Sequence, residues 1–268
     1  GDATEGTINI VNYLIKENIT LSWCLIGEAS SQKQLGDSIK IGRRGSLHGE
    51  LYLKGKQGHI AYPQLAQNPI HRCFKALDTL TETHWDNGNE WFTPTSFQIY
   101  NIHADTGATN MIPGSLSASF NFRFAPCSQA QTLQQRVTQI LDQYHLDYSI
   151  KWNLMSTPFL STPGILTSAC QNAIKKNTQI DTRLNTEGGT SDGRFITQTG
   201  CEIVELGPIN KTIHQVNECI KLEDLTTLKN IYYDTLTELN QLIKEQGEDK
   251  HALLANIYIK TNKLILFI

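Results

Sequence analysis

The stretch SLSASFNFRFA at 115–125 narrows most what this chain can fold into. Leu116, Ala118, Phe120, Phe122 and Phe124 alternate with Ser117, Ser119, Asn121 and Arg123. Side chains on a strand point to opposite faces at every second residue, so this run has one dry face and one wet face. A dry face needs a cover, and amphipathic helices beside an antiparallel sheet supply one. The surrounding sequence offers both parts. SLHGELYLKG at 46–55 sets Leu47, Leu51 and Leu53 at the same period of two, and TSFQIYNIHA at 95–104 and LDYSIKW at 146–152 also read as strands. Asn68 and Pro69 open a helix, with Pro where its missing N–H costs nothing. A second helix is expected over 131–144, capped by Ser128. The order from 45 to 157 is therefore β-α-β-β-α-β, a ferredoxin-like four-stranded antiparallel sheet with two helices on one face.

The flanks have a different rhythm. Residues 7–18 carry Ile8, Val11, Leu14 and Ile15 at helical spacing, and SWCLIGE at 22–28 is an apolar strand ending in an acid. After TPFLSTPG the pattern gives a helix over 164–176, a strand over 182–187, a glycine-rich turn, a strand over 201–206 and a helix over 223–243. The simplest organisation is an α/β domain interrupted by a complete smaller one, with Gly42 and Gly45 at the exit and Pro158 and Pro163 at the return. The expected boundaries are 1–44 and 158–243 for the outer domain and 45–157 for the insert, followed by an atypical tail over 244–268. That tail reads either as an added strand or as sequence foreign to the fold. The start at Gly1 without Met reads as a tag scar, a processed terminus or a cut inside a larger fold.

Composition excludes several classes. With 39% hydrophobic and 18% charged residues in 268, the chain has ordinary globular balance. A formal charge of -3 and the lack of a dense Lys/Arg block speak against a nucleic-acid groove. No signal peptide and no 18-residue apolar run are visible, which points away from secretion and membrane spanning. The six cysteines are far apart without a CxxC pair, and read as reduced thiols of a cytoplasmic protein.

Several residues could carry chemistry. Glu28 closes the strand CLIGE, where open α/β sheets bind ligands; it is either a ligand or a solvated strand end. His214, in the polar loop GPINKTIHQVNE, is either a surface histidine or an imidazole partner of Glu28 at a metal. No HExxH is present, and His48, His59, His71, His84, His103, His145 and His251 lack ligand spacing. In EGGTSDGRF, at 187–195, Gly188 and Gly189 permit a tight turn before a helix expected to start at Thr190 or Ser191. Its free amides suit an anion, and a plain capping turn is the alternative. Arg43 and Arg44 of GRRG, and Arg123 beside the loop TGATNMIPG, suit planar carboxylates or solvated ion pairs. His59, in KGKQGHIAYP, is either a donor to a developing oxyanion or structural.

Taken together, WCLIGEAS, LGDSIKIGRRGSLHGELYLKGKQGHIAYPQLAQNPIH, GNEWFTPTSFQI, TGATNMIPG, FNFRF, EGGTSDGRF and ELGP followed by IHQVNE closely resemble the succinyl-diaminopimelate desuccinylases. That family sits in the aminoacylase/carboxypeptidase-like superfamily of di-zinc hydrolases, and the resemblance runs from Gly1 to about Ile243. It implies hydrolysis of N-succinyl-LL-2,6-diaminopimelate to succinate and LL-2,6-diaminopimelate in lysine biosynthesis. It also implies two zinc ions per subunit in the complete enzyme, with cobalt as an alternative, and a homodimer formed through the inserted domain. The fold implied is a three-layer αβα zinc-hydrolase domain, incomplete here, interrupted by the ferredoxin-like dimerisation domain. By resemblance Glu28 and His214 are metal ligands, and His59 is the catalytic histidine that reaches the partner subunit's site. Arg43, Asn110, Arg123, Gly189 and Thr190 line the substrate cleft. The family's HxD histidine, bridging aspartate and Glu-Glu pair have no counterpart here, so the resemblance implies that this chain is inactive alone. A related amidohydrolase, such as an acetylornithine deacetylase, and a non-catalytic dimerising remnant are the alternatives.

Overall fold

The computed structural model describes residues 6–245 and 264–267. In chain order it opens with α1 (Thr7–Lys16), β1 (Trp23–Ile26), β2 (Ser38–Lys40) and β3 (Gly42–Arg43). The middle contains β4 (Gly45–Lys54), β5 (Gly58–His59), α2 (Pro69–Glu82), β6 (Ser96–His103), β7 (Met111–Ile112), β8 (Ser115–Phe124), α3 (Ala130–Asp142) and β9 (Tyr148–Ser156). The chain returns through β10 (Phe159–Leu160), α4 (Ile165–Thr178), β11 (Arg183–Asn185), α5 (Gly193–Ile196), β12 (Glu202–Glu205), α6 (Leu222–Glu245) and β13 (Leu264–Phe267). Two compact units result: Arg44–Pro158, and the residues before and after it.

In the inserted unit the strand order is β6-β8-β4-β9, all antiparallel, which is the ferredoxin-like arrangement the periodicity predicts. Leu47, Leu51 and Leu53 of β4 and Leu116, Ala118, Phe120, Phe122 and Phe124 of β8 are all buried against Cys73, Ala76, Leu77 and Leu80 of α2 and Leu133, Val137 and Leu141 of α3. The aromatic rings interlock: Phe97 lies 5.0 Å from Phe120 and 4.9 Å from Phe122, while Trp152 meets Phe120 edge-on at 5.4 Å. Gly49, opposite Phe120, makes this packing possible, since a Cβ there would sit 2.3 Å from that ring. Asn68 caps α2 as expected, its Oδ1 accepting the Ile70 N–H at 3.0 Å. Ser128 does not cap α3. Its hydroxyl instead donates to Asp86, which also receives the Thr95 hydroxyl and the N–H groups of Thr95 and Gly88. A charged acceptor outcompetes a backbone cap, because hydrogen bonds to ionised groups are the stronger kind. Burial alone would raise the Asp86 pKa, but these donors outweigh it and hold the carboxyl at about 2.

The outer unit has a five-stranded mixed sheet in the order β11-β2-β12-β1-β13. Trp23 and Leu25 of β1 face one cluster with α4 and α6, while Cys24 and Ile26 face a second cluster with Val11 and Leu14 of α1 and Ile196 of α5. Two cores on opposite faces of one sheet make three layers, α/β/α. Of the tail, 246–263 and 268 lie outside the described residues, and 264–267 form β13 alongside β1, in parallel.

Candidate functional site

β1 and β12 are parallel neighbours, so their C-terminal ends open on the same edge of the sheet. The loops beyond them are stitched together. Ser31 N–H donates to Pro208 O at 3.2 Å, Asn210 N–H returns to Ser31 O at 2.9 Å, and the buried Ser31 hydroxyl donates to Gly207 O at 2.8 Å. Glu28 lies on the first loop and His214 on the second, both exposed, with His214 in a turn at φ 60°. Their charges feel each other. Desolvation and then Glu205 raise the Glu28 pKa, Arg43 lowers it, Asp192 raises it and His214 lowers it, and the balance is upward.

Behind this edge lies a buried polar cluster. Glu205, at the end of β12, is fully buried, and Arg43 and Lys40 keep only 5% and 2% of their surfaces. Arg43 donates Nε to Glu205 Oε2 at 2.8 Å, and its Nη2 closes a tight ion pair on the same oxygen. Ser191 donates its hydroxyl to the other carboxylate oxygen. Arg43 Nη1 reaches the carbonyls of Glu187 and Gly189, each at 3.1 Å, and Lys40 Nζ reaches Glu187 O at 2.8 Å. Burial, then Arg43, push the Lys40 pKa down to about 8, against the partial support of Glu205 and Glu187. Arg43, expected in the substrate cleft, is thus placed with its donors on Glu205 and on the turn.

The turn itself follows from these bonds. Peptides are planar and trans here, so a carbonyl pointing in at the cations sends the next N–H the opposite way. Gly188 N–H and Thr190 N–H therefore point away from Lys40 and Arg43, in an exposed segment where no described acceptor takes them. Gly188 has φ 98°, and a Cβ there would lie 2.8 Å from Arg43 Nη1, so both strain and space demand glycine. The expected helix start at Thr190 or Ser191 is corrected: α5 begins at Gly193. The Ser191 hydroxyl donates to Glu205 and accepts the Gly193 N–H at 3.3 Å, and Asp192, in the helical region at φ -67°, receives the Thr7 hydroxyl at 2.5 Å. Any anion at 188–190 would meet a turn, not a helix end.

In the inserted unit, β5 pairs with β7, setting His59 opposite Met111, and Ile60 N–H donates to Asn110 O at 2.9 Å. His59 and Asn110 are thereby neighbours on one exposed ribbon. His59 Nδ1 accepts the Ala61 N–H at 3.1 Å, so the neutral ring carries its proton on Nε2, as a donor. Arg123 is half-buried on the wet face, opposite Ser46 and Ser96, with no hydrogen-bond or ion-pair partner among the described residues. The structure thus gathers Glu28, Arg43, Gly189, Thr190 and His214 in the outer unit, and His59 and Asn110 in the insert.

Lys40, Ser191 and Glu205 were not among the site residues the sequence singled out. A usable signal existed for Glu205, which ends the apolar run CEIVE as Glu28 ends WCLIGE. Lys40, flanked by Ile39 and Ile41, is a charge in an apolar strand. Ser191 was read as a possible helix start, and no local pattern pointed to its bond with Glu205.

Residues 41–149 match the family model of the peptidase dimerisation domain. The chain is 58% identical over 236 residues to succinyl-diaminopimelate desuccinylase of Coxiella burnetii, covering 88% of this chain and 63% of that protein. It is 52% identical over 239 residues to the same enzyme of Marinobacter nauticus, covering 89% and 63%. It therefore spans less than two thirds of the length of these relatives. Among solved structures, a metallo-carboxypeptidase of the M20 family from Sulfolobus solfataricus superposes with a TM-score of 0.71 at 16% identity, over 84% of this chain and 66% of that one. That likeness concerns the fold.

Proposed function

We propose that this chain, a homologue of the succinyl-diaminopimelate desuccinylases over most of its length, forms the larger part of a metal-dependent amidohydrolase that removes succinate from N-succinyl-LL-2,6-diaminopimelate. The observation that carries this reading is the convergence of Glu28 and His214 on one sheet edge, in a chain 58% identical to such an enzyme. Glu28 and His214 would each give a donor to zinc, or to cobalt in its place. Zinc sites take about four ligands, and no group of three or more His, Cys, Asp or Glu among the described residues is placed to hold a metal. These two donors alone do not fit a complete centre, so the chemistry this chain's own residues supply is that of binding. Gly189 and Thr190 present the turn to a substrate carboxylate, Arg123 offers an uncommitted guanidinium, Asn110 an exposed amide, and His59 an Nε2–H donor for a developing oxyanion. Arg43 contributes from behind the turn.

The inserted unit is the dimerisation element of this reading. Phe74 of α2 and Ile102 of the edge strand β6 are exposed, in a groove that also contains Lys75 and Asp78. Six free thiols suit a cytoplasmic setting. No helix among the described residues is long and apolar enough to cross a membrane.

Zinc content and succinyl-diaminopimelate hydrolysis, measured on one preparation of the chain with its Glu28→Gln and His214→Gln variants, test the reading. Weak zinc uptake that drops about 10-fold with either substitution is expected, in line with the cost of disturbing a metal site, together with no turnover by this chain alone. Uptake indifferent to both substitutions refutes the pairing. Two zincs per chain with turnover refute the incomplete donor set.

A further inference from the structure

Lys40, Glu205 and Ser191 commit a buried amine, a fully buried carboxylate and a buried hydroxyl to one short loop. Placing such groups in an interior is costly unless each finds its partner. Here every partner belongs to one chain of contacts: Ser191 to Glu205, Glu205 to Arg43, Arg43 to the carbonyls of Glu187 and Gly189, and Lys40 to the Glu187 carbonyl. Two cations thus converge on two carbonyls of a glycine turn that local propensity leaves free. Asn185 adds to this from the other side, its Oδ1 accepting the Glu187 N–H at 3.0 Å and Lys40 Nζ at 3.4 Å.

We propose that Lys40 and Glu205 are positioning residues for the 187–190 turn, holding its Gly188 and Thr190 N–H groups outward as a preformed receptor for a carboxylate. The inference rests on the proposed function for the identity of the anion, and on the geometry alone for the positioning. Backbone N–H groups arranged in this way bind anions when the conformation is set in advance, and lose affinity when it must be ordered on binding. Lys40 and Glu205 do the ordering through the carbonyl side of the same peptides and never meet the ligand. The turn is held from behind.

The test uses the 268-residue chain with succinate as the probe. Amide order parameters of Gly188–Thr190 and the succinate dissociation constant are measured by NMR in wild type, Lys40→Met and Lys40→Arg. Lys40→Met keeps the Arg43–Glu205 pair intact, so it tests the loop without unfolding the unit; Glu205→Gln is added if it folds. The expectation is an ordered wild-type turn, near the rigid value of about 0.85, falling below about 0.6 in Lys40→Met. Succinate should bind about 10-fold more weakly in that variant, with most of the loss restored by Lys40→Arg. An unchanged order parameter in Lys40→Met overturns the positioning role, whatever succinate does. If the wild type fails to bind succinate while the turn still loosens in Lys40→Met, the positioning stands and the proposed anion falls.

Discussion

The two units solve the problem of an interior in opposite ways. The insert buries an almost entirely apolar layer, with Phe97, Phe120, Phe122 and Trp85 interlocked under two helices. The outer unit has apolar cores on both faces of its sheet, but at the strand ends it also buries Lys40, Arg43 and Glu205. An apolar core is non-directional and tolerates small shifts, so it sets a stable platform. A buried ion pair contributes little net stability against well-packed hydrophobic residues, but it punishes the loss of either partner. The difference teaches where rigidity is placed. The insert is stabilised throughout, whereas the outer unit concentrates directional bonds beneath a single turn.

Substitutions in each unit test this contrast. The largest loss is expected from Phe120→Ala, which empties the centre of the insert and should cost about 4 kcal/mol. Denaturant unfolding followed by the insert's Trp85 and Trp152 would report it, and a cost below about 1 kcal/mol would mean that ring packing is not what holds this unit. Next comes Glu205→Ala, which strands Arg43 in the interior and should cost about 3 kcal/mol in the outer unit. Hydrogen exchange of β12 and β2 amides resolves that from the insert; equal loosening of both units would contradict the localisation.

A third prediction concerns pH. The Asp86 carboxyl, ordinarily at 3.8, is held at about 2 in the folded insert, so folding favours its ionised form. Its stabilisation is complete above about pH 4 and is lost as pH falls through about 2. The insert of wild type should therefore lose more stability across that window than Asp86→Asn, and parallel curves would remove Asp86 as the cause. The smallest effect is expected from Glu202→Ala. Glu202 accepts the N–H groups of Gly164, Leu166 and Thr167 at the start of α4, at 2.8–2.9 Å. Losing this cap should cost about 1 kcal/mol, visible as faster exchange in the first turn of α4, and a protected first turn in the variant would argue that tertiary packing holds the helix start.

The sequence was most informative where a single period repeats. The alternation in β8, the Leu47–Leu51–Leu53 ladder and the Asn68-Pro69 start each map onto the structure because each depends on near neighbours. Ser128 looked like a cap by the same local logic, but Asp86, 42 residues away, takes its hydroxyl. α5 begins at Gly193 rather than at Thr190 or Ser191, and the Ser191 hydroxyl just ahead of it is held by Glu205, 14 residues away. Glu28 was legible as a candidate through its place at a strand end and His214 through its polar loop, while Lys40 and the bond of Ser191 to Glu205 were not.

By itself the sequence determined the order of the longer helices and strands and the dry faces of β4 and β8, while the short strands β2, β3, β5, β7 and β10 carried no readable period. Those are consequences of side-chain period and local backbone preference. Only the tertiary structure decided which polar groups are buried and what they hold. Arg43 and Glu205 stand 162 positions apart, and Lys40 and Glu187 147. No local pattern encodes that meeting. It arises because β2 and β12 become neighbours in one sheet, with Lys40 paired to Glu205, and bring their charges beneath the turn.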